Sequence, residues 1–349
     1  ENLPEQRVPR NAQPLFNLGA KQFKTLFHDG RVQVDLSRPS GLRTPLEEEM
    51  VEGFSSIISA QTMFPVLSAD EMAGHYSENE ISEAVRRGTL TGKGGAWDLI
   101  SKRVQAIPEY SDFFIDTYDH IETAQDIKFT DISNAVAAFM EFEWRSDTSP
   151  FDDFLQGRLD LAISQEKGME LFYGKANCSS CHAGALFTDH QFHATGQPQV
   201  GPGKAARFQS HSRDLGRFRV TGNIKDKYAF RTPSLRNVEL TGPWGHAGAY
   251  SNLEAFVYAH LNPYLALSNY DKSNVTLTKY DANDWKIMDN ANEVKAIADS
   301  ITIKPVIISD GEVTDLLAFL GTLTDIKAQK GRLGIPETVP SGLEIPNPQ

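Results

Sequence analysis

Apolar residues recur at helical spacing in a few segments of this chain and thin out between them. From Pro45 to about Met63, Leu46, Met50, Phe54, Ile57 and Ile58 fall on one face and predict a helix. Shorter helices are predicted over residues 78–85, 96–107 and 110–118. The clearest stripe runs from Thr130 to Trp144, where Ile132, Val136, Ala137, Phe139 and Met140 repeat every three or four positions. Ser149-Pro150 is expected to break that pattern, and a domain junction is expected near residues 150–160. Ser164 can cap a helix that runs through Met169, Leu171 and Phe172 toward Gly174. Asn252 can cap another over residues 253–261, and a last helix is predicted over 312–323. Few segments alternate with period two, so the expected fold is mainly α.

The segments without periodicity carry as much information. Residues 1–45 are punctuated by Pro4, Pro9, Pro14, Pro39 and Pro45. The stretch 182–252 is rich in Gly, Pro and Arg, and long irregular segments inside compact domains usually serve function. Beyond Gly331 the prolines at 336, 340, 346 and 348 predict a tail extended over the surface. No internal repeat, Rossmann fingerprint or P-loop interrupts this pattern.

A chain of 349 residues has length for about two domains with buried cores. Its formal charge of −12 argues against nucleic acid as a partner. No apolar run reaches the length of a membrane-spanning helix. The sequence opens at Glu1 without a visible leader, which leads us to expect a mature or trimmed chain.

The chain has only two cysteines, and they stand in Cys178-Ser179-Ser180-Cys181-His182. This is the attachment pattern for a c-type haem: each thiol can form a thioether to a vinyl group, and the histidine can ligate the iron. A thioredoxin-like redox pair would need a βαβ context, and a structural zinc site would need two further ligands at matching spacing. Neither is present around this motif. Covalent haem attachment takes place outside the bacterial cytoplasm, so an exported, periplasmic location is expected.

With that motif placed, its flanks resemble the bacterial di-haem cytochrome c peroxidase family, including its MauG-like members. Ahead of it stands Gly168-Met169-Glu170-Leu171-Phe172-Tyr173-Gly174, similar to the family's helix into its second haem. Behind it follow Phe187-Thr188-Asp189, Asp214-Leu215-Gly216-Arg217-Phe218, Thr232-Pro233-Ser234-Leu235-Arg236-Asn237, Leu240-Thr241-Gly242-Pro243 and His246-Ala247-Gly248. Upstream, Arg10-Asn11-Ala12 with Phe16-Asn17, and Phe27-His28-Asp29-Gly30-Arg31, resemble the stretch after the family's first haem.

The resemblance implies two cytochrome c-like haem domains with long irregular haem-wrapping loops. Residues 1–158 would be the remainder of the first, peroxidatic domain, and residues 159–349 the second, electron-transfer domain with its tail. The family's first C-x-x-C-H would lie upstream of Arg10, and this sequence has none there. A trimmed polypeptide, or a separate chain carrying the first haem, is expected ahead of a true loss.

Site residues follow from the same resemblance. Glu71 and Gln61, ten positions apart, match the family's peroxide-handling glutamate and glutamine. His182 would be the proximal ligand of the second haem, held through Cys178 and Cys181. The sixth ligand in the family stands fourteen positions after the H-x-G histidine, and from His246 that place is His260. Bis-His iron is therefore implied, with a lower potential than His/Met. His190 and His193 are expected at the haem edge, and His246 in packing or hydrogen bonding. Arg236, with Arg217 and Arg231, would hold haem propionates. A Ca²⁺ is implied at Thr241 and Pro243, with Asn11 as the asparagine ligand. His28 departs from the tryptophan that many members carry between the haems.

The function so implied is reduction of hydrogen peroxide, with electrons from a small cytochrome c or cupredoxin entering at the second haem. Two alternatives remain open: a MauG-like oxidase of a partner protein's aromatic residues, and a mono-haem electron-transfer subunit. A homodimer is compatible with each.

Overall fold

The computed structural model describes residues 7–204, 211–277 and 282–345. The chain packs into two compact units, neither of them a single stretch of sequence. One comprises residues 18–24, 32–143 and 330–349; the other comprises 1–17, 25–31 and 144–329. The single boundary expected at 158/159 therefore differs from the packing. N-terminal residues belong with the C-terminal half, because backbone bonds such as Asn11 N to His246 O (2.8 Å) and Arg231 N to His28 O (2.8 Å) tie them there.

In the first of these units, helices α1 (Ile57–Gln61), α2 (Glu80–Arg87), α3 (Ala96–Gln105), α4 (Pro108–Thr117) and α5 (Phe129–Glu143) surround Met63, Ile81, Ala84, Trp97 and Phe129. Trp97 stacks on Phe129 at 5.0 Å. The helix expected from Pro45 shrinks to α1 and a short 3₁₀ turn at Glu47–Glu49. Three consecutive acids, the first at φ 46°, oppose a continuous helix there. Ser56 caps α1 by accepting from Ser59 N. Along α5 the predicted stripe is split: Ala137 is buried, while Val136 and Phe139 are exposed. The tail is fixed at its root by buried Glu143, whose carboxylate accepts from the backbone N–H groups of Arg332 and Leu333.

The other unit begins its helices with α6 (Pro150–Leu155) and α7 (Ile163–Tyr173), and adds α8 (Phe218–Thr221), α9 (Leu253–Leu261), α10 (Pro263–Ser268), α11 (Ala291–Ala298), α12 (Asp310–Gly321) and α13 (Ile326–Lys330). Ser149-Pro150, expected to end a helix, starts one instead. Ser149 accepts from Asp152 N, and Pro150 occupies the first helical position, where its missing N–H costs nothing. α7 packs on α12, and Gly168 permits that crossing: a Cβ there would stand 1.9 Å from the Asp315 carbonyl oxygen. Phe151, Phe172, Phe187 and Phe319 form the aromatic centre of this core, with Phe172 and Phe319 5.1 Å apart. Two-residue strands at Phe192–His193 and Phe230–Arg231 pair antiparallel within the irregular segment. The fold is mainly helical, and among the described residues no helix is long and apolar enough to cross a membrane.

Candidate haem site

α7 delivers the chain into the cysteine motif. After Gly174 the backbone turns through Asn177 in the left-handed region (φ 57°) and enters a 3₁₀ turn over Cys178–Ser180. Asparagine tolerates that conformation better than most residues. Cys178 packs against the phenylalanine core, and burial pushes its thiol up to about 11. Cys181 stays closer to solvent, and its hydrogen bond with His193 pulls its thiol below the usual range. The two sulfurs are free thiols, not a disulfide.

His182 donates from Nδ1 to the Phe187 carbonyl oxygen at 3.0 Å. A carbonyl oxygen can only accept, so the proton is on Nδ1 and Nε2 keeps its lone pair for a metal. Phe187 presents that oxygen from a left-handed backbone (φ 51°) while its ring is held in the aromatic core. Burial pushes His182 down to about 4, and the charge of His260 adds to the effect. His260, near the end of α9, repeats the arrangement: its Nδ1 donates to the Phe256 carbonyl oxygen one turn earlier, at 3.0 Å. Asn252 fixes the start of this helix by accepting from Ala255 N. Each histidine has Nδ1 committed to a backbone carbonyl oxygen, so each could offer Nε2 to a haem iron. Two thiols with the required spacing complete the fit.

Asp189, His193 and Cys181 bring their ligand-type atoms within 4.8 Å of one another, with His193 Nε2 2.8 Å from Asp189. A thioether at Cys181 would remove its thiolate, which leaves His193 and Asp189 as a polar pair beside the attachment point. Asp189 is the unexpected member of this group: it lies in Phe187-Thr188-Asp189, and nothing in that run marks it as the partner of His193.

Arg236 has a different partner from the propionate expected. It is buried, grips Asp152 with two bonds of 2.8 and 2.9 Å, and donates from Nε to the Ala185 carbonyl oxygen. Asp152 also accepts from Ser149 at the start of α6, so the pair ties the haem-side loop to a helix N-terminus. Arg217 lies over the Phe192 ring and donates to the carbonyl oxygens of Asp29 and Gly30. Arg231 is buried, donates to Phe27 O and Thr232 O, and is pushed down to about 10 by burial.

Asn11 and Pro243, expected around a calcium ion, do meet: Asn11 Nδ2 donates to the Pro243 carbonyl oxygen at 2.6 Å. Thr241 lies two residues earlier and turns its hydroxyl to Val238 O. Rotating the Asn11 amide would set Oδ1 beside the Pro243 carbonyl oxygen, and oxygen donors of this kind are what calcium takes. His246, on the same loop, is buried and stacks on Phe230 at 3.8 Å, and neither ring nitrogen has a hydrogen-bond partner. It packs and does not hydrogen-bond. A charge cluster that the sequence did not announce lies on the same unit. Arg10 binds Asp214 at 2.6 and 2.7 Å and Asp29 at 2.7 Å, and Arg31 binds Asp29 at 3.0 Å. Each acid stands inside a quoted motif, but nothing in the spacing pairs them. His28 adds a half-buried imidazole, bonded through Nε2 to Asn11 O and pushed down to about 4 by desolvation.

Gln61 and Glu71 belong to the other unit. Gln61 is the last residue of α1 and is half-buried, while Glu71 is exposed in the turn that follows Ser68.

Residues 2–160 match the model of the di-haem cytochrome c peroxidase family. A cytochrome c peroxidase, IdrP1, of Pseudomonas sp. (strain SCT) is 30% identical over 225 residues, which is 57% of this chain and 58% of that protein. The methylamine utilization protein MauG of Methylorubrum extorquens is 28% identical over 289 residues, 82% of this chain and 62% of that protein. The chain thus spans about three-fifths of these relatives' length. Two solved structures share the fold. One is a MauG-like protein associated with microbial copper homeostasis (TM-score 0.56, 24% identity, 91% of this chain and 76% of that one). The other is the diheme peroxidase BthA of Burkholderia thailandensis (TM-score 0.59, 20% identity, 99% and 78%). The haem-binding motif, the fold and these relatives point the same way: the chain resembles the di-haem cytochrome c peroxidase family, whose model matches residues 2–160.

Proposed function

We propose that this chain is the electron-accepting part of a periplasmic oxidoreductase that reduces hydrogen peroxide. The observation that carries the reading is the matched pair His182 and His260, each with Nδ1 on a backbone carbonyl. Cys178 and Cys181 would hold a haem c by thioethers, and the two imidazoles would ligate its iron through Nε2. A haem so bound supplies one-electron exchange between ferric and ferrous iron, and bis-His ligation favours a low potential. A small cytochrome c or cupredoxin would deliver the electrons. A second haem would come from sequence outside this chain or from a partner chain.

Peroxide reduction needs a proton removed from one oxygen and returned to the other. Glu71 is the residue of this chain fitted to that transfer, and the Gln61 amide can hold the peroxide by hydrogen bonding. A calcium ion between Asn11 Oδ1 and the carbonyls of Thr241 and Pro243 would fix the N-terminal segment against the loop 241–248. A second reading, an electron carrier without peroxide chemistry, is favoured by the exposure of Glu71.

Haem content per natively purified complex, with the intact mass of every chain, tests the proposal. Two haems with peroxide turnover would support it. One six-coordinate, bis-His haem with no turnover would overturn it in favour of the carrier.

A further inference from the structure

Behind His260, aromatic rings follow one another without a gap. The Phe256 ring meets His260 edge-on, with centroids 4.6 Å apart. Tyr250 lies 5.4 Å from Phe256, Tyr270 lies 5.6 Å from Tyr250, and Trp285 lies 6.2 Å from Tyr270. At such separations neighbouring ring edges are in van der Waals contact. Tyr250 is fully buried, whereas Tyr270 and Trp285 are each partly exposed. At the outer end Lys272 Nζ stands 5.0 Å from the Trp285 ring centroid and binds Asp289 at 2.5 Å. The series is therefore directional: it begins at a histidine suited to ligate iron and ends at an indole that reaches the surface.

The hydroxyls do not break this line into proton-coupled steps. Tyr270 donates to the Ala249 carbonyl oxygen, which cannot take its proton, and burial raises both tyrosines above their ordinary range. The rings can act as a continuous π bridge while the protons stay in place.

We infer that Trp285, Tyr270, Tyr250 and Phe256 form the route by which electrons enter the iron ligated by His260. This rests on the haem reading of the His182/His260 site. In each transfer a reduced protein donor at the Trp285 surface loses one electron and the iron passes from ferric to ferrous. No bond forms or breaks, and no proton moves.

The test places a photoreducing ruthenium polypyridyl at the surface beside Trp285. Lys286 is exposed, and Lys286→Cys offers a single thiol once Cys178 and Cys181 are committed to the haem. A laser flash then injects an electron, and its arrival is read from the ferric-to-ferrous change of the haem spectrum. Tyr270→Leu, Trp285→Leu and Phe256→Leu are each expected to slow arrival about tenfold, whereas Tyr270→Phe and Trp285→Phe should restore the parent rate. The static haem spectrum and the melting temperature identify any leucine variant that has lost its fold, and the three positions provide independent breaks. Leucine variants that remain folded and inject at the parent rate would overturn the route. A labelled parent with no haem signal at all would overturn the haem reading, and the route with it. Neither result depends on peroxide turnover.

Discussion

His182 and His260 each have one ring nitrogen fixed on a carbonyl oxygen, whereas Glu71, in the other unit, stands exposed in a turn. The first arrangement is built by its own chain: a left-handed Phe187 offers one carbonyl, and a capped α9 offers the other. The second has no such support among the residues described. Preorganised side chains mark a site whose protein shell is present, and an exposed carboxylate marks one that needs something further. The two regions of this chain therefore make different demands on experiment.

The largest effect should come from removing one of the two histidines proposed to ligate iron. His182→Ala is expected to abolish the low-spin haem spectrum, and His260→Ala to convert it to a high-spin, five-coordinate one with the haem still covalently attached. Optical and EPR spectra separate the outcomes. An unchanged low-spin spectrum in His260→Ala would remove His260 from the iron.

Next in size is the buried Arg236–Asp152 pair. Arg236→Ala leaves Asp152 with a charge and half its partners, and breaking a buried pair costs about 3–5 kcal/mol. Denaturant unfolding of the holoprotein measures this directly. Burial alone would raise the Asp152 carboxyl, but the bonds from Arg236 and Ser149 outweigh it and hold it below its ordinary value. Its contribution is therefore present above the unfolded carboxylate pKa and is lost as pH falls through the depressed folded value. Arg236→Ala should flatten that acid limb as well as lower the plateau. Retention of haem in this variant would confirm a structural task and not a propionate one.

These two cases show what the sequence could disclose and what it could not. Cys178, Cys181 and His182 are adjacent in the chain, so their chemistry is readable as a motif. Asn252 announces α9 because capping is local, and that prediction matches the structure. Arg236 and Asp152 are 84 positions apart, and no local pattern pairs a guanidinium with one acid over another. Ser149-Pro150 is ambiguous from sequence because proline stops a helix from within but opens one at its first position, and only the following turn distinguishes the two. The stripe of α5 was legible as a helix, but which apolar residues are covered depends on what packs against it. α10, α11 and α13 escaped the pattern because they are short and their apolar residues do not form a long stripe.

A smaller effect, and a graded one, belongs to the imidazoles of His28 and His246 near Arg10. Burial pushes His28 down to about 4 and His246 down to about 3, while an unfolded chain protonates both near 6.5. Between these values the unfolded state binds more protons, so stability is whole above about pH 6.5 and declines as pH falls toward 4. Each group contributes at most about 1.4 kcal/mol per pH unit. His246→Phe keeps the stack on Phe230 and removes one titrating ring, so its stability should fall less steeply over the same range. Equal slopes in the two proteins would show that His246 titrates alike in both states.

Glu71→Gln should have the smallest effect on the fold and the most informative one on function. The side chain is exposed, so stability should change by less than about 0.5 kcal/mol. If Glu71 moves a proton during peroxide reduction, the amide removes that ability and turnover should fall by about 10²-fold or more. Steady-state peroxide consumption by the native complex, beside an unfolding curve of the same variant, reads both quantities. A large loss of rate with an unmoved curve places Glu71 in the chemistry. An unmoved rate would take Glu71 out of the chemistry and leave the proposed function resting on His182 and His260. The exposed turn would then be an ordinary surface acid, and the contrast between the two units would be one between a redox centre and a scaffold.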